Sequence, residues 1–72
     1  MRQFTELDRW DLEKFVDAHG LASVVTALAD ICREKADHVM TNWQDKNLAR
    51  LWELAGTRLD KCAESSAIQR LP

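Results

Sequence analysis

Between Leu21 and Met40 the hydrophobic residues recur with the spacing of one helix face. Apolar or small residues fall every three or four positions, and charged or hydroxyl side chains fall between them. This pattern predicts one long amphipathic helix over 21–42, with a stripe made of Leu21, Val24, Val25, Leu28, Ile31, Cys32, Ala36 and Val39, and with Lys35 at its edge. Because Leu28 lies in the middle of this stripe, we predict that Leu28→Asp abolishes folding.

Two more helices are predicted, one on each side of the long one. Gly20 can end a first helix over 9–18, because glycine adopts the left-handed backbone found at helix ends. Asp45 is a natural N-cap for a third helix over 46–64. Since the connection before Asp45 is short, the second and third helices are expected to be antiparallel neighbours.

The predicted fold class is therefore all-α, a small three-helix domain. A long antiparallel helical hairpin forms its centre, and the short N-terminal helix packs against it. At 72 residues the chain has room for one domain. Within that domain, 1–7 is predicted to be a loose lead-in and 65–72 a frayed tail.

The start of the first helix has two possible positions. Asp8 as N-cap places Trp10 on the side away from Leu12 and Phe15, and leaves it exposed. Asp11 as N-cap would bury Trp10 instead. With the first choice, which we favour, the opposite side of the helix carries Leu12, Phe15, Val16 and His19.

Small residues repeat every seven positions on one flank of both long helices. They are Ala22, Ala29 and Ala36 in the second helix and Ala49, Gly56 and Ala63 in the third. In an antiparallel pair these flanks face each other, so the backbones can approach closely and Gly56 has a reason to lie inside a helix. The opposite flank is predicted to carry the larger residues Val24, Ile31, Leu51 and Leu54.

Charge and composition narrow the class of partner. The formal net charge is −2, and no basic stripe is present to follow a phosphate backbone, so nucleic acid is not an expected partner. No apolar run reaches the length of a membrane span, and the first residues lack the apolar stretch of a signal peptide. With only two cysteines, Cys32 and Cys62, we expect buried thiols in a cytoplasmic protein.

Candidate chemistry is sparse. Glu34 and His38 lie one turn apart on the long helix and could share a cation, but one helix supplies too few ligands for a metal site. There is no glycine-rich phosphate loop and no serine or cysteine with a predicted base nearby. We therefore expect no catalytic residues, no metal and no cofactor, and we do not expect an enzyme.

The chain contains three tryptophans, and these are its most informative residues for function because tryptophan is enriched in binding surfaces. Trp52 lies in the stripe of the third helix and is predicted to be core. Trp43 lies at the hairpin turn, where it either caps the end of the bundle, the choice we favour, or projects as an anchor. Trp10 is the tryptophan most expected to be exposed.

The predicted function is binding of a protein partner through an apolar helix face, most simply as a homodimer. The partner-binding candidates are Trp10, Trp43, Leu51, Leu54, Val24 and Ile31. Leu54→Glu should weaken the dimer and leave the helices formed. The alternative hypothesis is a sponge for a nucleotide or another small ligand, such as a phage-type anti-defence factor, that holds the ligand between subunits through Lys46, Arg50 and Arg58.

Overall fold

A computed structural model describes residues 3–72, and the elements of this part of the chain are helices. They are α1 (Glu6–His19), α2 (Leu21–Trp43), α3 (Lys46–Glu64) and the one-turn helix α4 (Ser66–Gln69). The two long helices, α2 and α3, pack closely against each other as an antiparallel hairpin. The all-α fold and the hairpin are thus confirmed, and the ends of α2 and α3 differ from prediction by at most one residue.

Helix α1 begins earlier than either sequence-based choice, so Asp8 and Asp11 are both wrong as N-caps. Thr5 is the N-cap: its Oγ1 accepts a hydrogen bond from the Asp8 amide at 3.1 Å, and the Thr5 amide donates to Asp8 Oδ2 at 3.0 Å. This reciprocal pair satisfies two amides where a lone cap satisfies one. Glu6 and Leu7 therefore belong to α1 and not to a loose lead-in, and Met1 and Arg2 lie outside the described residues.

Gly20 joins α1 to α2 as a one-residue link. Its φ of 88° and ψ of 151° define a backbone conformation that is essentially restricted to glycine. The Gly20 amide donates to the Val16 carbonyl at 2.8 Å and closes α1 after His19, as predicted. The chain bends by 116° between the two helices. As a result α1 contacts only α2 among the helices, and none of its residues is buried.

The hairpin closes along a line of small residues, which we call the seam. Its buried members are Val25, Ala29, Cys32, Ala36 and Val39 of α2 and Ala49, Gly56 and Ala63 of α3. A Cβ atom added at Gly56 would lie 3.1 Å from the Ala29 carbonyl oxygen, so the two backbones nearly touch there. The predicted close approach along the alanine and glycine flanks is confirmed, and it explains why Gly56 lies inside a helix.

Leu28 does not lie at the centre of the core. Its side chain is 42% exposed, because the seam follows the small residues and Leu28 falls to one side of them. The stripe predicted for α2 therefore divides lengthwise: one half forms the seam, and the other half, with Val24 and Ile31, faces outward. On α3, Trp52 is half-buried against the seam, whereas Cys62 is exposed and is not the buried thiol that was predicted.

The hairpin turn is built by two residues with different tasks. Gln44 adopts the left-handed conformation with φ of 52°, and its amide donates to the Met40 carbonyl to end α2. Asp45 caps α3 as predicted, with Oδ1 accepting from the Leu48 amide at 3.0 Å. Trp43, just before the turn, is 73% exposed, so the preferred interpretation of it as a cap on the end of the bundle is wrong.

The C-terminal segment is ordered into α4 where a frayed tail was predicted. Ser65 Oγ accepts a hydrogen bond from the Ile68 amide at 3.4 Å, and the Gln69 side-chain amide donates to the Ala63 carbonyl at 2.6 Å. Helix α4 contacts both α2 and α3, and Ile68 is half-buried. The serine cap and one apolar anchor are enough to fold this turn back onto the hairpin.

Over residues 3–72, no single helix is both long and apolar enough to cross a membrane. Helices α1 and α2 taken together would meet that criterion of length and composition, but they are bent by 116° at Gly20.

Candidate functional site

Many exposed apolar side chains of α1, α2 and α3 lie on three separate surfaces, while Met40, Trp43 and Leu48 are exposed near the hairpin turn. The first is a groove between α1 and α2, lined by Leu12, Phe15, His19, Ser23, Val24, Ala27, Leu28 and Ile31. The second, the Trp10 surface, consists of Leu7 and Trp10 with their charged neighbours Glu6, Arg9 and Glu13. The third, the outer α3 surface, carries Leu51 and Leu54.

The groove arises from the bend at Gly20. Because α1 crosses α2 at an angle and does not lie along it, their apolar sides diverge and leave a space of about 530 Å³. Leu12 and Phe15 lie on one wall, and Leu28 and Ile31 on the other. Phe15 is 59% exposed, so the groove is an apolar space that this chain does not fill.

The lining of the groove contains no lysine, arginine, aspartate or glutamate side chain. His19 and Ser23 are its polar side chains, and the rest are aliphatic or aromatic. A concave, mainly apolar surface with few polar groups is typical of a binding site for another apolar surface. Such a lining offers dispersion contacts and release of water to a partner that covers it.

The Trp10 surface is apolar in the middle and charged at its edges. Lys14 Nζ lies 4.5 Å from the centroid of the Trp10 ring, in a cation–π contact. The carboxylates of Glu6 and Glu13 line the same shallow depression. Trp10 is exposed, as the favoured of the two sequence interpretations expects, and it lies on the side of α1 away from the groove.

On the outer α3 surface, Leu51 and Leu54 are exposed. Each is offset by about half a helical turn from Gly56, so they lie on the side of α3 turned away from the seam. Neither lines the groove that contains Val24 and Ile31. The four large residues predicted on one flank are therefore divided between two surfaces, and Trp43 projects separately at the hairpin turn.

The cations of the alternative hypothesis are exposed along α3. Lys46 and Arg50 are one turn apart, and Arg58 lies two turns further on. None of the three lines the groove. A ligand bound by all three would have to lie along the outside of the helix unless a second chain enclosed it.

A polar site that the sequence analysis missed lies on the other flank of the hairpin. The Arg33 guanidinium pairs with Asp60 across the two helices and with Asp30 within α2 at 3.3 Å. The Arg33 Cγ atom lies 3.5 Å from where a Gly56 Cβ would be, so the arginine stem covers the closest approach of the backbones. Asp60 lies about one turn beyond Gly56 on α3, and the long arginine side chain reaches it diagonally across the two helices, so the residue register alone did not indicate the pair.

The ligand-type residues of α2 make local contacts. Asn42 Nδ2 lies 2.9 Å from His38 Nδ1 and donates to the His38 carbonyl at 3.0 Å, so His38 is engaged with the end of its own helix. Within residues 3–72, no three histidine, cysteine, aspartate or glutamate side chains lie close enough together to hold a metal ion.

Comparison with known proteins gives no match: no protein-family model, no curated protein and no solved structure is similar to this chain. The case for function therefore depends on the geometry of the three surfaces.

Proposed function

We propose that this is a small cytoplasmic protein that acts by binding protein, and that it does so as a homodimer through the groove and the adjoining apolar flank of α2. The observation that carries the proposal is that the folded chain is flat and open, with large apolar side chains exposed on α1 and α2. Its extents are 40 × 30 × 15 Å, and α1 contacts α2 but not α3. Small domains normally bury their apolar faces between two packed layers, and a second copy would supply such a layer.

The shape supports the same conclusion. A compact chain of this length has an expected radius of gyration of about 11 Å. The observed value is 14.1 Å. The larger radius of gyration is that of an open arrangement and not of a closed bundle, since α1 contacts α2 but not α3.

The exposed area is large enough for a stable interface. A folded monomer of 8.3 kDa is expected to expose about 4,600 Å². This chain exposes 6332 Å², which is about 1,700 Å² more than expected. A standard interface removes about 800 Å² from each partner, so the excess is more than a homodimer needs.

The two free cysteines fit a reducing compartment, which supports the cytoplasmic assignment.

Sedimentation equilibrium tests the proposal. The wild-type chain should sediment at twice its 8.3 kDa mass at micromolar concentration. Ile31→Glu places a charge in the groove wall and should raise the dissociation constant at least about tenfold, with helix content unchanged. Thr41→Glu adds the same charge to an exposed position of α2 outside the groove, and should leave the dimer intact.

A wild-type chain that remains an 8.3 kDa monomer at high concentration would overturn the homodimer. Thermal stabilisation by a nucleotide, removed by Arg50→Ala but not by Ile31→Glu, would favour the small-ligand alternative over binding through the groove.

A further inference from the structure

We propose that the two-fold axis of the homodimer passes through the groove, so that the Phe15 side chains of the two copies meet there and each fills part of the other copy's groove. This rests on the proposed function, since it places the interface of the same dimer. It selects one of the three exposed apolar surfaces as the contact between copies.

The first argument is the distribution of charge. In a two-fold interface only the residues close to the axis lie opposite their own copies, so a charged side chain there meets a like charge. The lining of the groove contains no lysine, arginine, aspartate or glutamate. The Trp10 surface is lined by the charged residues Glu6, Arg9 and Glu13, so an axis through it would bring two copies of whichever charge lies nearest to the axis together. Like charges brought together at an interface cost several kcal/mol, so this surface is a poor place for the axis.

The outer α3 surface has the same difficulty. Arg50 lies before Leu51 and Leu54 on the outward side of α3, and Arg58 lies after them. Both arginines are exposed. A two-fold axis beside these leucines would bring arginines of the two copies toward each other. Of the three surfaces, the groove is the one that can meet its own copy without that cost.

The second argument is shape. An isologous interface uses one patch on both chains, so the patch must contain both a projection and a space that receives it. The groove has both: Phe15 projects from α1 with 59% of its side chain exposed, and beside it lies a space of about 530 Å³. Gly20 is the only residue between α1 and α2, and the two helices are bent by 116° there. Helix α1 therefore does not lie along α2 and does not fill the space itself.

A pair of charge variants tests where the axis lies. Phe15→Lys and Phe15→Glu each place like charges together when the axis passes beside Phe15. Each variant alone should therefore raise the dissociation constant at least about tenfold over the wild-type value. An equimolar mixture should form a heterodimer with a dissociation constant within about threefold of wild type. Labelling one variant with ¹⁵N makes the heterodimer visible by native mass spectrometry.

Because α1 has no buried residues, both variants should keep the wild-type circular dichroism spectrum. The matched control is the pair Leu54→Lys and Leu54→Glu on the outer α3 surface. Because Leu54 does not line the groove, both should dimerise like wild type alone and mixed, in contrast to the weakening that the sequence pattern predicted for Leu54→Glu. If wild type dimerises but the Leu54 pair shows the loss and rescue, the axis lies on α3 and the placement is wrong. Loss with both Phe15 variants and no rescue on mixing also overturns it. A monomeric wild type would instead refute the proposed function.

Discussion

The seam and the groove contain similar numbers of apolar residues but use them in opposite ways. In the seam, alanines and a glycine are buried, and Ala29 has no exposed area at all. In the groove, the larger side chains of Phe15, Leu28 and Ile31 keep roughly half of their surface in contact with solvent. The hairpin is therefore held by close approach of backbones, and the bulky apolar side chains are left for another contact.

Within this small chain, the seam residues therefore stabilise the fold, whereas the groove residues remain available for binding. The small residues of the seam let the backbones of α2 and α3 come close together. They bury little hydrophobic area in doing so, since an alanine buries much less apolar surface than a leucine. The apolar area left outside the seam supplies little to the fold of the single chain. It remains available for an interface, where it can be buried against a second copy. Variants on the two sides should accordingly have different consequences.

The largest expected effect is that of a bulky residue in the seam. In Gly56→Leu even the first added carbon lies 3.1 Å from the Ala29 carbonyl oxygen, and the remaining side chain has no space between the helices. Overpacking typically costs about 1–3 kcal/mol, which is a large fraction of the about 3–5 kcal/mol that a core of this size supplies. Urea denaturation followed by circular dichroism should therefore show a midpoint far below that of wild type.

Two controls sharpen this result. Gly56→Ala should lose far less, because the gain of about 1 kcal/mol in helix propensity offsets part of the clash. Thr57→Leu adds a leucine at the exposed neighbouring position and should leave the midpoint nearly unchanged. If Gly56→Leu were as stable as Thr57→Leu, the backbones would not approach as closely as the seam requires.

The sequence was sufficient for α2, α3, the end of α1 and the seam, because these depend on local rules, but not for the start of α1 or for α4. Gly20 and Asp45 mark helix ends through their own backbone and side-chain chemistry, and the seven-residue repeat of small residues identifies the contact between α2 and α3. The start of α1 was missed because Asp8 replaces the glutamate that usually completes a capping box with Thr5.

The candidate site was only partly predictable from the sequence. Periodicity groups Leu12 with Phe15 and places Val24 with Ile31, and these four residues do line the groove. It does not give the angle between α1 and α2, which depends on the backbone conformation of Gly20. It also shows a wide apolar stripe on α2 without showing which half faces α3, and this is why Leu28 was placed in the core.

The next effect in size is that of Leu28→Asp, which distinguishes the groove from the seam directly. Because Leu28 is 42% exposed, a carboxylate there can remain solvated in the monomer, so folding should survive. In the dimer the same carboxylate would be buried without a partner, so association should weaken at least about tenfold. Sedimentation equilibrium and circular dichroism on the same samples separate the two effects. Loss of helix content in the variant would show that Leu28 belongs to the core after all.

A smaller effect is expected at the start of α3, on the side of the seam. Asp45→Ala removes the acceptor for the Leu48 amide and should cost about 1 kcal/mol of unfolding free energy. Asp45→Asn is the matched control, since asparagine caps as well as aspartate, and it should cost little. Denaturant midpoints of the two variants provide the measurement. Equal losses would mean that the negative charge at this position, and not the hydrogen bond, stabilises the helix.

The smallest effect concerns the start of α1, on the side of the groove. The hydrogen bonds with the Thr5 backbone and then the Thr5 side chain hold the pKa of the exposed Asp8 carboxyl below its usual value. A lowered pKa in the folded state means that the capping contribution is complete above the ordinary aspartate pKa, and is lost as the pH falls through the lowered one. An NMR titration of the Asp8 carboxyl carbon should therefore give a midpoint below that of an unstructured aspartate, and Thr5→Val, which removes the hydroxyl, should move it back upward. An unchanged midpoint in Thr5→Val would show that the hydroxyl does not affect the pKa. Because this cap is exposed and α1 has no buried residues, Thr5→Val should shift the unfolding midpoint of the hairpin less than Asp45→Ala does.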